Sequence, residues 1–88
     1  MKINEELAER AKEDGKLKLE QFDEFLGLGV VQVNTKSKDM AIAVYVSQPR
    51  RKLSDLFRKS IPAVVEVQDH GRTYSVPTKI VNLGRFSL

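Results

Sequence analysis

The chain has 88 residues, no cysteine, one histidine and a formal net charge of +3. This length suffices for one hydrophobic core but not for two, since lone domains usually fail to fold only below roughly 40 residues. The missing thiols exclude disulfides, thiol nucleophiles and cysteine-bound metals, and a single histidine argues against a histidine-rich zinc centre. We therefore predict one domain over residues 1–88, with no metal site.

Charge is unevenly divided along the chain. Residues 1–29 carry five basic and eight acidic residues, a net charge of −3, whereas residues 30–88 carry ten basic and four acidic residues, a net charge of +6. Such asymmetry occurs where an acidic helix lies against a basic sheet of the same molecule, and it also occurs on nucleic-acid-binding surfaces. We favour the intramolecular or solvated explanation and keep nucleic-acid binding as the alternative.

The N-terminal sequence does not resemble a targeting signal. MKINEELAERAKEDGK is charged where a secretory signal needs an apolar stretch. No apolar run in the chain approaches the ~20 residues of a membrane span. We expect no signal peptide in this chain, no membrane partner and, by default, a cytoplasmic location.

The first element in chain order is a predicted helix that runs to Gly15. Asn4 can cap its N-terminus, and the acidic residues that follow suit the positive end of the helix dipole. Gly15 suits the position just after the last helical residue. The apolar residues recur at helical spacing: Ile3, Leu7, Ala8 and Ala11. Because this stripe is thin, we expect the helix to dock or to fray.

The next segment, KLKLEQFDEFLG, predicts a second and more amphipathic helix. Its apolar residues recur every three or four positions: Leu19, Phe22, Phe25 and Leu26. Gly27 follows as a stop signal. We therefore predict that residues 1–27 form a helical N-terminal part and that this apolar face packs in the core.

From Leu28 the hydrophobic period changes from helical to alternating. The stretch LGVVQVNTK alternates its side chains between two faces, which is typical of a half-buried strand. After a short polar turn, MAIAVYVS is apolar on both alternations and predicts a central strand that is covered on both faces. Its small residues, Ala41 and Ala43, would let a helix approach one face closely.

A short helix and two more strands complete the predicted fold. Ser54 opens the helix SDLFRKS, and Pro62 prevents its continuation. AVVEVQ and TYSVPTKIVNL are predicted strands around DHGR, where Gly71 can adopt a positive φ in a loop of about three to five residues. Because Pro77 cannot donate a ladder hydrogen bond, we expect the last strand to be an edge strand, to be bulged, or to be broken at Val76.

The order of these elements predicts an α+β fold. We expect a four-stranded, mainly antiparallel sheet in the order β-β-α-β-β, preceded by two helices and covered by a single layer of helices. Residues 28–84 would form the α/β core, and residues 85–88 would form a tail or linker.

The only histidine belongs to a group with the residue types of a hydrolase site: Asp69, His70, Arg72, Tyr74 and Ser75. Nucleophilic catalysis needs a base within hydrogen-bond reach of the nucleophile and a third group that orients the base. Here His70 would lie at an exposed hairpin tip, with Ser75 further along the next strand. The glycine-containing stretch GLGVV leads into a strand and not into a helix, so it is no phosphate loop. We predict that the chain is not an enzyme and binds no cofactor.

The most distinctive polar feature is a basic cluster: Arg50, Arg51, Lys52, Arg58 and Lys59. These residues could contact phosphates, or they could form a basic rim for an acidic protein partner. The exposed aromatic residues of a single-strand binder are not interleaved with them, and no helix precedes the short helix at helix-turn-helix spacing. We predict a protein partner, with nucleic acid as the alternative.

A resemblance to a known family is carried by three stretches in order: GVVQVN followed by DMAIAVYVS, then RKLSDLFRKSIP, then VVEVQDHGRTYSVPTKIVNLGRF. Together they resemble the N-terminal segment that precedes trypsin-like serine peptidase domains in some bacterial proteins. The resemblance covers roughly residues 28–86. Its most specific parts are Ile61-Pro62, Val76-Pro77-Thr78 and Gly84-Arg85.

The resemblance implies a module that accompanies a peptidase and has no catalytic residues of its own. No Gly-Asp-Ser-Gly-like motif occurs in the chain, and the first third of the chain is not part of the resemblance. An excised domain and a small stand-alone protein with the same fold both remain open. We predict a non-catalytic accessory or prodomain-like protein-binding module, with a small basic nucleic-acid-binding domain as the alternative. The basic cluster is the candidate surface, and the sheet edge near Pro77 is a second one.

Overall fold

The computed structural model of the protein describes residues 3–15 and 17–83. Its elements are α1 (Glu5–Gly15), β1 (Phe25–Gln32), β2 (Met40–Val46), a 3₁₀ turn (Arg50–Lys52), α2 (Asp55–Lys59), β3 (Val64–Asp69) and β4 (Arg72–Asn82). The strands form one four-stranded sheet in the order β1-β2-β4-β3, so the fold is α+β as predicted. The predicted tail and Gly84 lie outside the described residues. Within those residues, no helix has the length and apolar character to cross a membrane.

The sheet is mixed, whereas the sequence predicted a mainly antiparallel one. β1 pairs with β2 and β3 pairs with β4 in the antiparallel sense, but β4 runs parallel to β2. The parallel pair arises because the chain leaves β2 through α2 and β3 before β4 returns beside β2, and such a crossover brings the new strand back in the same direction. As a result, β2 and β4 are the central strands, and β1 and β3 are the two edges.

Helix α1 is docked on the sheet. Its predicted cap is confirmed, since the Leu7 N–H donates to Asn4 Oδ1 at 2.8 Å. The apolar stripe of the helix packs on residues from three strands: Ile42, Val65, Val67 and Val76. Gly15 is the last residue of α1 and not the residue after it, and a Cβ there would lie 3.0 Å from Val65 Cγ1. The glycine therefore serves close packing of the helix end on β3.

The second predicted helix does not form. The segment makes two successive turns, in which the Phe22 N–H donates to the Leu19 C=O at 3.0 Å and the Phe25 N–H to the Phe22 C=O at 3.1 Å. Apolar residues three positions apart suit such turns as well as a helix, and these three reach one core cluster. Leu26, expected on the buried face, is 55% exposed. The first strand thus begins at Phe25, whereas the alternating pattern predicted it from Leu28.

Strand β2 is central and covered on both faces, as predicted, but the covering groups differ from the expectation. Ile42 points to the face where α1 lies, and Ala41 and Ala43 point to the opposite face. The expectation that a helix packs against these alanines is therefore wrong. Lys79 stands beside Ala43 in the register and crosses the sheet, so that its Nζ lies 3.3 Å from the Val33 C=O.

Strand β4 is central and continuous, so the prediction of an edge, bulged or broken last strand is wrong. β3 pairs with residues 72–77 of β4 and β2 pairs with residues 78–82, so β4 changes partner after Pro77. The Thr78 N–H bonds to the Ala63 C=O at 3.1 Å. By the alternation of an antiparallel ladder, Pro77 then faces away from β3, and pairing with β2 begins only at Thr78. Neither ladder needs the N–H that proline lacks.

The β3–β4 hairpin turns through two residues, His70 and Gly71, a shorter loop than predicted. Asp69 and Arg72 form the last pair of the ladder on either side of it. Gly71 has the predicted positive φ, 78°, and His70 has a φ of 51°. Two left-handed residues in a two-residue loop match the type I′ turn, whose twist suits the flanking strands.

Candidate protein-binding site

The predicted basic residues lie around α2. The 3₁₀ turn before the helix consists of Arg50, Arg51 and Lys52, and the last turn of the helix contains Arg58 and Lys59. The side chain of Arg50 lies outside the described part of the structure. The other four side chains are exposed, and we call them the basic surface: Arg51, Lys52, Arg58 and Lys59.

Helix α2 is held so that its cations face outward. Ser54 caps the helix, because its Oγ accepts a hydrogen bond from the Phe57 N–H at 3.2 Å. Leu53 and Phe57 are buried, and the Phe57 ring centroid lies 5.1 Å from that of Phe22. Anchoring of one side of a short helix leaves its other side in solvent. The buried aromatic contact therefore positions the basic surface.

Two acidic groups lie near this surface, and both are engaged. The carboxylate of Asp55 pairs with Arg58 one turn later in α2. Glu24 Oε2 accepts a hydrogen bond from the Ser54 N–H at 3.1 Å, which holds the pKa of Glu24 below its ordinary value. Among the described side chains, Arg51 and Lys59 form no ion pair, so their charges are available to a partner.

A cleft of about 560 Å³ lies beside the basic surface, and we call it the β4 cleft. Arg58 contributes to its lining. Its two walls come from the segment before β3 and from β4: Ile61, Pro62, Ala63, Thr78, Lys79 and Ile80. At one end Thr78 Oγ1 donates to the Pro62 C=O at 2.5 Å and ties the walls together. Among the described residues, the lining thus combines apolar side chains with the cation Arg58 and with Lys79, whose ammonium reaches across the sheet to Val33, and it includes no anion.

The backbone of β4 turns toward this cleft with groups that neither ladder uses. The Leu83 N–H bonds to the Val46 C=O at 2.8 Å, so odd-numbered residues of this half of β4 face β2 and even-numbered residues face away. Ile80 therefore directs both its N–H and its C=O to the cleft side. Since β3 begins only at Val64, no strand pairs with Ile80 there. The cleft can take a short extended segment through main-chain hydrogen bonds.

A second cleft, of about 490 Å³, flanks the other half of β4, where β2 has not yet begun. Its lining includes Thr73, Ser75 and Pro77 from β4. Across from them lies Asp39, whose Oδ1 accepts a hydrogen bond from the Ile3 N–H at 2.9 Å. Among the described residues no cation lines this cleft, so that part of its lining lacks the charge that distinguishes the β4 cleft.

The residues with hydrolase chemistry do not converge. The His70 side chain is 92% exposed, and its Nε2 lies 3.8 Å from Asp69 Oδ1. That carboxylate is itself bound by Arg10 at 2.7 Å. Ser75 pairs with Glu66, about 10 Å along the strand from the hairpin loop. The absence of an enzymatic role stays a prediction, and the geometry adds no nucleophile–base pair to weigh against it.

The described residues contain no group of three or more His, Asp or Glu side chains that could hold a metal ion. Comparison of the chain with family models, with curated proteins and with solved structures found no match. The basic surface and the β4 cleft are therefore the features on which a functional proposal rests. Sequence reasoning found the first and missed the second, although Pro77 marked the place where β4 changes partner.

Proposed function

We propose that the protein is a non-catalytic protein-binding module, which acts as an accessory or prodomain-like domain. The observation that carries the proposal is the juxtaposition of exposed cations with a strand that has an unused donor and acceptor. Arg58 contributes to the lining of the β4 cleft, and Ile80 directs its backbone N–H and C=O toward it. A partner segment in extended conformation would gain main-chain hydrogen bonds from β4 and charge pairing from the basic surface.

The partner segment is acidic. Among the described residues the cleft lining includes the cation Arg58 and no carboxylate, and the exposed Arg51 and Lys59 extend the positive charge beyond it. Cations at the rim of an interface raise the association rate and select against positively charged competitors. Acidic side chains on alternate positions of the segment would face these cations.

A trypsin-like serine peptidase domain is the proposed partner class, on the ground of the sequence resemblance. Two of its three most specific parts meet at the β4 cleft, since Thr78 bonds to Pro62 across the end of the cleft. The third part, Gly84-Arg85, lies outside the described residues. Shared residues at one surface are what a conserved mode of docking would require.

The test is a titration of this chain with an isolated trypsin-like serine peptidase domain. We expect binding in the micromolar range or tighter, weakened at least ~tenfold by Arg51→Glu combined with Lys59→Glu. Lys36→Glu, on the turn between β1 and β2, is the matched control and should bind as the parent chain does. No binding at micromolar concentration, or equal loss in both variants, would refute the proposed site.

A nucleic acid is the second candidate partner, because the basic surface has the charge to contact phosphates. The two candidates differ in their response to salt. Each phosphate contact lowers the logarithm of the binding constant by about 0.9 per tenfold increase in salt on duplex DNA. Binding to single- and double-stranded oligonucleotides that falls steeply between low and physiological salt, and that is lost with Arg51→Glu, would favour nucleic acid over a protein partner.

A further inference from the structure

The outer edge of the sheet at β1 is bare. The Val33 N–H bonds to the Asp39 C=O at 2.9 Å, one position beyond the last pair of the β1–β2 ladder. Alternation then assigns the bonds with β2 to odd-numbered residues and turns the N–H and C=O of Leu28, Val30 and Gln32 outward. Within the part of the chain that the structure describes, no group bonds to them. We call these outward groups the β1 edge.

From Gly27 to Gln32, strand β1 also lacks the charges, prolines and bulges that usually protect an edge. Soluble proteins blunt edge strands with lysine, proline, bulges or short length. Phe25–Gln32 contains no charged residue and no proline. Its one register shift lies between Phe25 and Gly27, and the ladder from Gly27 to Gln32 is regular. A regular, uncharged edge of this kind is a template for pairing with another strand.

The opposite edge of the sheet, at β3, is protected. Glu66 places a charge in the middle of this shorter strand. Gln68 faces outward in the alternation, and its C=O is occupied by Arg10 of α1 at 2.7 Å. The same guanidinium holds the Asp69 carboxylate at the end of the strand. A strand that approached β3 would meet a charge and an occupied acceptor.

We propose that the β1 edge pairs antiparallel with the β1 edge of a second copy of this chain. Each outward residue presents one donor and one acceptor, so a two-fold axis brings the donors of one copy onto the acceptors of the other. One such register pairs Leu28 with Val30 of the second copy and brings the two Gly29 residues together. No charged side chain then faces another, and the two four-stranded sheets become one continuous sheet.

A second copy suits this edge better than the acidic segment proposed for the β4 cleft. The β1 edge selects an uncharged, apolar, extended strand, since an acidic side chain would find no cation along Phe25–Gln32. Of the two edge strands described here, β1 alone has that composition. Gly27 and Gly29 also leave the edge thin, and a Cβ added at Gly27 would meet no atom within 4 Å.

Sedimentation equilibrium of the intact chain over a range of concentrations tests the proposal. We expect a monomer–dimer equilibrium whose dissociation constant changes less than about twofold between low and high salt, because no ion pair crosses the interface. Gln32→Pro should weaken the dimer at least ~tenfold, since it removes an outward N–H and leaves the ladder with β2 intact. Gln32→Thr is the matched control and should dimerise as the parent chain does.

A second variant guards against a folding defect in Gln32→Pro. Gly27→Lys adds a charge to the edge at an open position and should weaken the dimer, whereas Gly27→Ala should not. Circular dichroism reports whether each variant keeps its secondary structure. A parent chain that stays monomeric at about 100 micromolar would overturn the proposal. So would folded Gln32→Pro and Gly27→Lys variants that dimerise as strongly as the parent chain.

Discussion

The two edge strands belong to the same sheet, but their outer sides differ. The β3 edge is closed by Arg10, whose contact with Gln68 spans 58 residues of sequence. Among the described residues no other group bonds to the β1 edge, and the residues of β1 carry no charge. Glu66 is a protective charge that the sequence of β3 shows, but the contact from Arg10 is a tertiary feature that the sequence of the strand does not reveal. The bareness of β1 follows from its composition once its position at the edge is known.

The largest expected effect on stability comes from a proline at a β1 residue whose N–H faces β2, compared with a proline at a β1 residue whose N–H faces outward. Val31 faces β2 and Gln32 faces outward. Val31→Pro should lower the free energy of unfolding by at least ~2 kcal/mol, because it removes a ladder bond and leaves a carbonyl of β2 unpaired. Gln32→Pro should cost less than about 1 kcal/mol. Urea denaturation measures both, and equal losses would contradict the assignment of inner and outer sides.

The two glycines of β1 differ in the space that surrounds them. A Cβ at Gly29 would lie 2.7 Å from Tyr45 Cε2, whereas Gly27 has open space. Gly29→Ala should therefore cost about 1–2 kcal/mol through overpacking against the ring. Gly27→Ala should be neutral or stabilising by up to ~1 kcal/mol, since it reduces the freedom of the unfolded chain. Thermal unfolding of the pair compares them, and a larger loss for Gly27→Ala would be inconsistent with this packing.

A smaller effect is expected at the β3 edge. Arg10→Ala removes the contacts with Gln68 and Asp69, and because this guanidinium is partly exposed we expect a loss of about 1 kcal/mol or less. Arg72→Ala, at an exposed position of the same hairpin, is the control and should change the free energy of unfolding by under ~0.5 kcal/mol. Indistinguishable stabilities of these two variants would mean that Arg10 does not close the edge.

The smallest effect concerns the hydrogen bond that the Glu24 carboxylate, just before β1, accepts from the Ser54 N–H. The pKa of Glu24 is lowered by the Ser54 N–H, so its contribution to stability is present above the ordinary value of 4.5 and is lost as the pH falls through the lowered pKa. Glu24→Gln should make stability depend less steeply on pH in the acidic range and should leave the dependence near pH 7 unchanged. Thermal unfolding of both chains between about pH 2 and 7 measures this difference. The same loss of stability at acidic pH in the parent chain and in Glu24→Gln would contradict a stabilising hydrogen bond between Ser54 and the Glu24 carboxylate.

Several local features were predictable because each depends on neighbouring residues alone. The cap at Asn4 forms, and Gly71 has a positive φ in the hairpin. The central position of β2 followed from apolar side chains on both alternations. The predicted second helix failed for the complementary reason: a three-residue spacing of Leu19, Phe22 and Phe25 suits turns and helices alike, and core contacts decided between them.

The candidate site likewise has one part that the sequence predicted, the basic surface, and one part that it did not, the β4 cleft. The predicted cations come from two short runs close together in sequence, residues 50–52 and 58–59, so all five could be named from the sequence, and the four that form the basic surface are exposed around α2. The β4 cleft depends on the offset of β2 and β3 along β4, which no local pattern encodes. Pro77 signalled an irregular place in the ladder, but a proline at an edge and a proline at a change of partner have the same sequence.

Amide hydrogen exchange at two protein concentrations tests the contrast between the edges most directly. In dilute solution, the outward amides of Leu28, Val30 and Gln32 should exchange fast while Val31 is protected by β2. In concentrated solution the three outward amides should become protected, and Glu66 on the β3 edge should exchange at an unchanged rate. Exchange at Leu28 and Val30 that did not depend on concentration would contradict pairing through the β1 edge.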